Sequence, residues 1–149
     1  MNLTYKFPSS YTSELKEISL CEKAHFSDAC SYATLSALIS SGAVAVAAYD
    51  TDKLCGFGYI SIAPGEAELL RIAVNPEMRG KGIAKSILSL LHEKAKELGC
   101  EEIFLEVRES NIKAIRLYES DGYIKIGTRR GFYKDPKEDA ILYKKDLKG

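Results

Sequence analysis

Tryptophan is absent from the 149 residues, histidine occurs only twice, and no two of the four cysteines form a Cys-x-x-Cys pair. Cys21, Cys30, Cys55 and Cys100 are spread too widely, and His25 and His92 are too few, to suggest a zinc site or a disulfide framework. No metal is expected, and the thiols read as reduced, small apolar side chains. The longest uninterrupted apolar run, residues 43–49, has seven members, far below the roughly 20 that a spanning helix needs, so no membrane segment is expected. The opening MNLTYKF lacks the charged head and long apolar stretch of a secretion signal, which fits a cytoplasmic protein. Net charge is missing as well. Twenty-one basic and 21 acidic side chains cancel, which argues against nucleic-acid binding as the main business of the chain.

What is present is ordinary globular material, 46% hydrophobic and 28% charged, too apolar for a disordered chain. The length suits one domain over residues 1–149. Its charges are unevenly placed. The first 70 residues hold four lysines against eight carboxylates, and the remainder holds 17 basic against 13 acidic side chains. A basic half suits an anionic ligand and an acidic half a cationic one, although uneven solvated surface explains the same counts.

Leu3, Tyr5 and Phe7 alternate as in a strand. Ser9, Ser10 and Thr12 then offer caps for a helix in which Leu15, Ile18 and Cys21 or Glu22 follow at helical spacing to about Phe26. Ser27 and Asp28 are expected to start a second helix, ending near Ser41 and Gly42. Residues 43–49 and 54–62 read as a hairpin, Pro64 and Gly65 break it, and a further strand covers 67–74. Ile83, Ile87, Leu88, Leu91, Ala95 and Leu98 mark the most secure helix, with His92 assigned to its polar side. A strand at 102–107, a helix from Ser110 or Asn111 through Asp121 with Gly122 as its left-handed cap, and strands at about 123–132 and 139–146 complete the chain. This order predicts an α/β (α+β) fold: a mixed, mostly antiparallel sheet of six to seven strands flanked by about four helices. Too many strands are joined by hairpins for a doubly wound fold.

Two glycines, Gly80 and Gly82, stand directly before the secure helix, where several N–H groups can converge and the helix dipole adds positive charge. Such a turn suits a phosphate. It is neither a Walker loop nor the dinucleotide fingerprint, since Gly82 follows Lys81 where Ser or Thr belongs and Lys85 stands where the third small residue belongs. The remaining pattern, Arg79-x-x-Gly82-x-Ala84 after the strand LLRIAVNP, resembles the pyrophosphate-binding motif of the GNAT N-acetyltransferase family. Downstream, Leu105 to Arg108, Ser110-Asn111, Leu117 to Glu119, the run Arg129-Arg130-Gly131-Phe132-Tyr133 and Glu138-Asp139-Ala140 resemble the ribosomal-protein alanine N-acetyltransferase branch. The resemblance is strong from about Glu68 to Leu147. One departure stands out: the aromatic-x-x-Pro-Trp of the family's first helix turn is replaced here by Phe26-Ser27-Asp28-Ala29-Cys30.

The resemblance implies the GNAT fold and acetyl-CoA as co-substrate. The coenzyme would be held by Ile72, Ala73 and Val74, by Arg79, Gly80, Lys81, Gly82, Ile83, Ala84 and Lys85, and by Asn111, which alone reads as a helix cap. It also implies a protein N-terminal peptide as partner, of a small-subunit ribosomal protein, met by a monomer or weak dimer. Transfer to an amine needs a base and an acid. Glu106 is the candidate base because it interrupts the apolar stretch IFLEV, where a carboxylate loses hydration; an outward-facing or Arg108-paired glutamate is the plain alternative. Tyr118 is the candidate acid. Eight residues into its helix, about 12 Å, it falls level with Leu105 or Glu106 if the helix folds back along the strand. Arg129 and Arg130 are candidates to shape the acceptor groove, while His25 and His92 receive no role. Acetylation of a small amine or another protein, and a non-catalytic acyl-CoA-binding module, are the competing readings; a mere binder needs the glycine turn but not Glu106 and Tyr118 together.

Overall fold

The computed structural model describes residues 1–148. In chain order its elements are β1 (Leu3–Lys6), α1 (Ser13–His25), α2 (Tyr32–Ser40), β2 (Val44–Asp50), β3 (Lys53–Ala63), β4 (Glu66–Val74), a 3-10 turn (Pro76–Met78), α3 (Ile83–Glu97), β5 (Glu102–Arg108), α4 (Ile112–Ser120), β6 (Ile124–Tyr133) and β7 (Glu138–Asp146). The seven strands form one sheet ordered β1-β2-β3-β4-β5-β7-β6. Every pairing is antiparallel except β4 with β5, which α3 connects as a crossover. No described helix is long and apolar enough to cross a membrane.

Each face of the sheet carries its own core. Leu15 and Ile18 of α1 and Leu35 of α2 pack on Ala45, Ala47, Phe57 and Tyr59. On the other face Ile83, Ile87, Leu88, Leu91 and Ala95 of α3 meet Val46, Ile60, Leu69, Ile103 and Leu105. Close approach of α3 depends on Gly58, where an added Cβ would sit 2.9 Å from an Ile87 methyl and 3.2 Å from one of Leu91.

Two expectations need correction. The second helix begins at Tyr32 with Ser31 as its cap, not at Ser27 or Asp28. The preceding residues are held in a turn instead, because the Cys30 amide donates to the Glu22 carboxylate and Asp28 accepts from Arg71. His92 is buried rather than on the polar side of its helix. Leu88, His92 and Ala95 share one stripe, and the segment following α4 packs onto it, so Nε2 lies 2.7 Å from the Tyr123 hydroxyl and Nδ1 3.6 Å from Asp121.

Burial, reinforced by Lys145, holds the His92 imidazole down from its ordinary 6.5 to about 4. Between those values the unfolded chain binds a proton that the folded one refuses, so stability falls as pH drops through this window, by up to about 3 kcal/mol. Urea midpoints of the native protein should decline from pH 6.5 to 4, and His92→Gln should flatten that decline.

Candidate active site

Strands β4 and β5 pair only through Glu66, Glu68 and the residue between them, opposite Glu102 to Phe104. Beyond that point they diverge. The register of β4 against β3 moves from Tyr59↔Arg71 to Ile60↔Leu69, so Leu70 is an extra residue, a bulge that bends β4 where the divergence begins. The opened space is a cleft of about 750 Å³. Leu70 to Ile72 form one wall and Glu106 to Arg108 the other; α4 contributes Asn111 and Tyr118, and the mouth is made by His25 to Asp28 and by Phe132 to Asp135.

Glu106 lies on the face of β5 opposite the buried Ile103, Leu105 and Val107, with 22% of its side chain exposed. Arg108 is not its partner, since Arg108 binds the Glu138 carboxylate at 3.0 Å and the carbonyl oxygens of Lys134 and Pro136. The cation nearest Glu106 is Arg129, at a loose 3.7 Å. Its charge is felt by its neighbours: burial first and then Glu106 push both the Glu68 carboxyl and the Tyr133 phenol upward. Glu106 also borders a second cavity of about 360 Å³, together with Glu66, Glu68, Phe104, Arg129 and Leu142.

Tyr118 is 7% exposed, with its ring 5.6 Å from that of Tyr123. Its hydroxyl finds no hydrogen-bond partner among the described residues yet is not sealed from solvent, so it reaches the cleft. Burial pushes this phenol up to about 12, which keeps it a proton donor throughout the physiological range.

Beside the cleft, Gly80 and Gly82 adopt φ of +77° and +78°, values that side-chain-bearing residues resist. Gly82 caps α3 with no side-chain acceptor, and the amides of residues 80–85 find no acceptor among the described residues. An added Cβ at either glycine would meet no atom within 4 Å, so the space beside both glycines is open. Val74, Arg79, Gly80, Gly82, Ile83, Ala84 and Lys85 line a groove of about 230 Å³ whose far side is Leu117 of α4, the neighbour of Tyr118.

Ile72, Glu106, Asn111 and Tyr118 thus share the cleft, and the turn residues share the adjoining groove. Ala73 and Lys81 line neither, Ala73 packing toward the α1 and α2 core. Asn111 uses its side-chain oxygen to accept from the Ala114 amide as the cap of α4, and its amide nitrogen remains available. Arg130 lies away from the cleft, near Glu109 and Asp139. His25, expected to be idle, sits on the cleft rim.

Sequence reasoning missed a buried ion pair at the same mouth. Glu22 is 0% exposed, and its two oxygens accept from Arg71 Nε and Nη2 at 3.0 Å each, from the Tyr59 hydroxyl at 2.7 Å and from the Cys30 amide at 2.9 Å. A signal existed: Glu22 shares the helical stripe of Leu15 and Ile18, and Arg71 is the lone charge in LLRIAV. Two charges of opposite sign at apolar positions suggest each other.

Residues 11–123 match the model of the acetyltransferase (GNAT) family. The chain belongs to the GNAT family. Among its curated relatives, the Escherichia coli K12 ribosomal protein bS18 alanine N-acetyltransferase is 37% identical over 92 residues, 60% of this chain and 62% of that protein. The Haemophilus influenzae enzyme of the same name is 34% identical over 96 residues, 62% of this chain and 65% of that protein. These alignments therefore span less than two thirds of the relatives' length. The crystal structure of the Escherichia coli S18 alanine N-acetyltransferase superposes with a TM-score of 0.85 at 27% identity, covering 98% of this GNAT chain and 96% of that one. Arabidopsis thaliana NAA60, solved with acetyl-CoA, shares the fold at a TM-score of 0.85 and 20% identity, covering 98% of this chain and 100% of that one.

Proposed function

We propose that the protein transfers the acetyl group of acetyl-CoA to the N-terminal amine of a protein, the alanine of a small-subunit ribosomal protein, by direct attack in a ternary complex. The observation that carries this reading is the convergence of Glu106 and Tyr118 on one cleft beside the turn of unpaired amides. In this scheme the amides of residues 80–85 and the α3 dipole bind the pyrophosphate, an arrangement that costs no side-chain ordering. Asn111 borders the pantetheine path. The incoming α-amine, with an ordinary pKa of about 7.7–8.0, gives its proton to Glu106, directly or through water. Its nitrogen then bonds to the thioester carbon, the carbon–sulfur bond breaks while the Tyr118 hydroxyl donates a hydrogen bond to the departing sulfur, and the second proton that the nitrogen sheds on becoming an amide ends on that sulfur. The resemblance to the bS18 alanine enzymes supports the acceptor, and the carboxylates Glu66, Glu68 and Glu106 suit a peptide with positive charge beyond its first residue.

The replacement of Pro-Trp by Ala29-Cys30, just after the mouth residues His25 to Asp28, favours one alternative, a small amine as acceptor. A mass-spectrometric screen with acetyl-CoA decides between them. A peptide beginning with Ala and carrying arginines soon after should outperform a neutral one, and the gap should narrow with salt. Equal turnover of both at low ionic strength favours the small amine, and coenzyme binding with no acetylated product identifies a binding module.

Gly82→Val forces a β-branched residue into a left-handed backbone and sets its methyls in the open space beside the turn. Calorimetry on the folded variant should show coenzyme A affinity lowered by about tenfold or more. Unchanged affinity would place the pyrophosphate elsewhere.

Glu106→Gln and Tyr118→Phe should each lower kcat by roughly 10²- to 10⁴-fold while acetyl-CoA still binds. Because Tyr118 stays protonated to about 12, it adds no basic limb to the pH profile below about pH 10. Full activity in both variants, or acetyl label on a cysteine with ping-pong kinetics, would refute the assignment.

A further inference from the structure

The turn at residues 26–31 presents Phe26, Ser27 and Asp28 to the cleft mouth, yet contains neither proline nor tryptophan to stiffen it. Its rigidity has another source. Arg71 stands next to the Leu70 bulge, where β4 leaves β5, and its guanidinium serves three structures at once. Through Nε and Nη2 it grips Glu22 of α1; through Nη2 it also donates to the Asp28 carbonyl and carboxylate, both at 3.2 Å; its face lies 4.0 Å from the centre of the Phe26 ring. The Cys30 amide, bound to Glu22, ties down the far end of the same turn.

A buried ion pair is a poor stabiliser compared with apolar packing, because both charges lose hydration. Helix α1 already has Leu15 and Ile18 for anchorage. Simple attachment of α1 would not need the pair to reach Asp28, whose side chain is 79% exposed at the cleft mouth. We infer that Arg71 is a positioning residue that, through Asp28 and Phe26, fixes residues 26–31 as the acceptor wall and so sets acceptor affinity without acting on acetyl-CoA. This rests on the acetyl-transfer reading above.

Arg71→Lys keeps a positive charge for Glu22 but loses the planar fork that bridges to Asp28. Asp28→Ala removes the carboxylate half of the bridge and leaves the backbone carbonyl, and Asp28→Asn retains an acceptor oxygen. Should Arg71→Lys fail to fold, Glu22→Gln/Arg71→Met removes both charges together. The expected result is an acceptor KM raised about tenfold in Arg71→Lys (or the double variant) and in Asp28→Ala. Coenzyme A affinity should stay within about twofold, hydrogen exchange should quicken at residues 26–31, and Asp28→Asn should restore wild-type behaviour. An unchanged acceptor KM in folded variants, or coenzyme affinity falling in step with it, would overturn the inference. If the wild-type protein acetylates no peptide, the functional reading fails by itself. The clamp is then judged by exchange alone, and unaltered protection of residues 26–31 in Arg71→Lys (or the double variant) and Asp28→Ala would overturn it.

Discussion

The parallel contact between β4 and β5 stops after Glu68 and Phe104, and the rest of the site follows from that stop. A sheet that continued its ladder there would have no cleft. Interrupting it leaves the backbone of Leu70 to Ile72 and of Glu106 to Arg108 without each other as partners, and this exposed polar edge is where an extended molecule can be gripped. The bulge at Leu70 bends one strand away, while β5 stays straight because β7 pairs with it along its whole length, from Glu102↔Asp146 to Arg108↔Ala140. One side of the opening is thereby rigid, and it carries Glu106. The other side is bent and carries Arg71.

The carboxylates around this opening are treated very differently. Glu22 is wholly buried with four donors, so its charge is spent on holding structure. Glu138 is similarly committed, accepting from Arg108 and the Ser110 amide, which anchors the start of α4 to β7. Glu106 has only Arg129, at 3.7 Å. A base must have accepting capacity left for an incoming proton, and among these three only Glu106 does.

Much of this was legible from residues. The α3 stripe, the Asn111 cap, the positive φ at Gly122 and the hairpin of β2 and β3 lie where periodicity and turn chemistry put them, because each depends on neighbours close in the chain. The arithmetic that set Tyr118 level with Leu105 or Glu106 points to the opening that Glu106 and Tyr118 both line. The failures involve distant partners. His92 looked polar because its position on the helix says nothing about Tyr123 arriving from beyond α4. Ser27 and Asp28 looked like a helix start because Asp caps helices, but Arg71, 43 residues away, claims Asp28 first.

Tyr118 shows why burial and chemistry can be arranged by the same residue. Packing against Tyr123 removes water from the ring and raises the phenol to about 12, yet the hydroxyl keeps a path to the cleft. A phenol near 10 would begin to ionise in mildly alkaline conditions. At about 12 it is always a donor, but it is a poor source of a fully transferred proton for a thiolate whose ordinary pKa is about 8.5. In the proposed transfer its contribution would therefore be a hydrogen bond to negative charge building on sulfur, made by a group already oriented and desolvated before that charge appears. Such a bond is strong only where water is kept from it, and the mouth of the cleft is flanked by two turns, the one that starts with Phe26 to Asp28 and the segment joining β6 to β7. The Arg71 bridge to Asp28 and the Arg108 bonds to Lys134 and Pro136 hold those two turns in place, so on the proposed mechanism two arginines that need not touch the reacting atoms would set how well Tyr118 works.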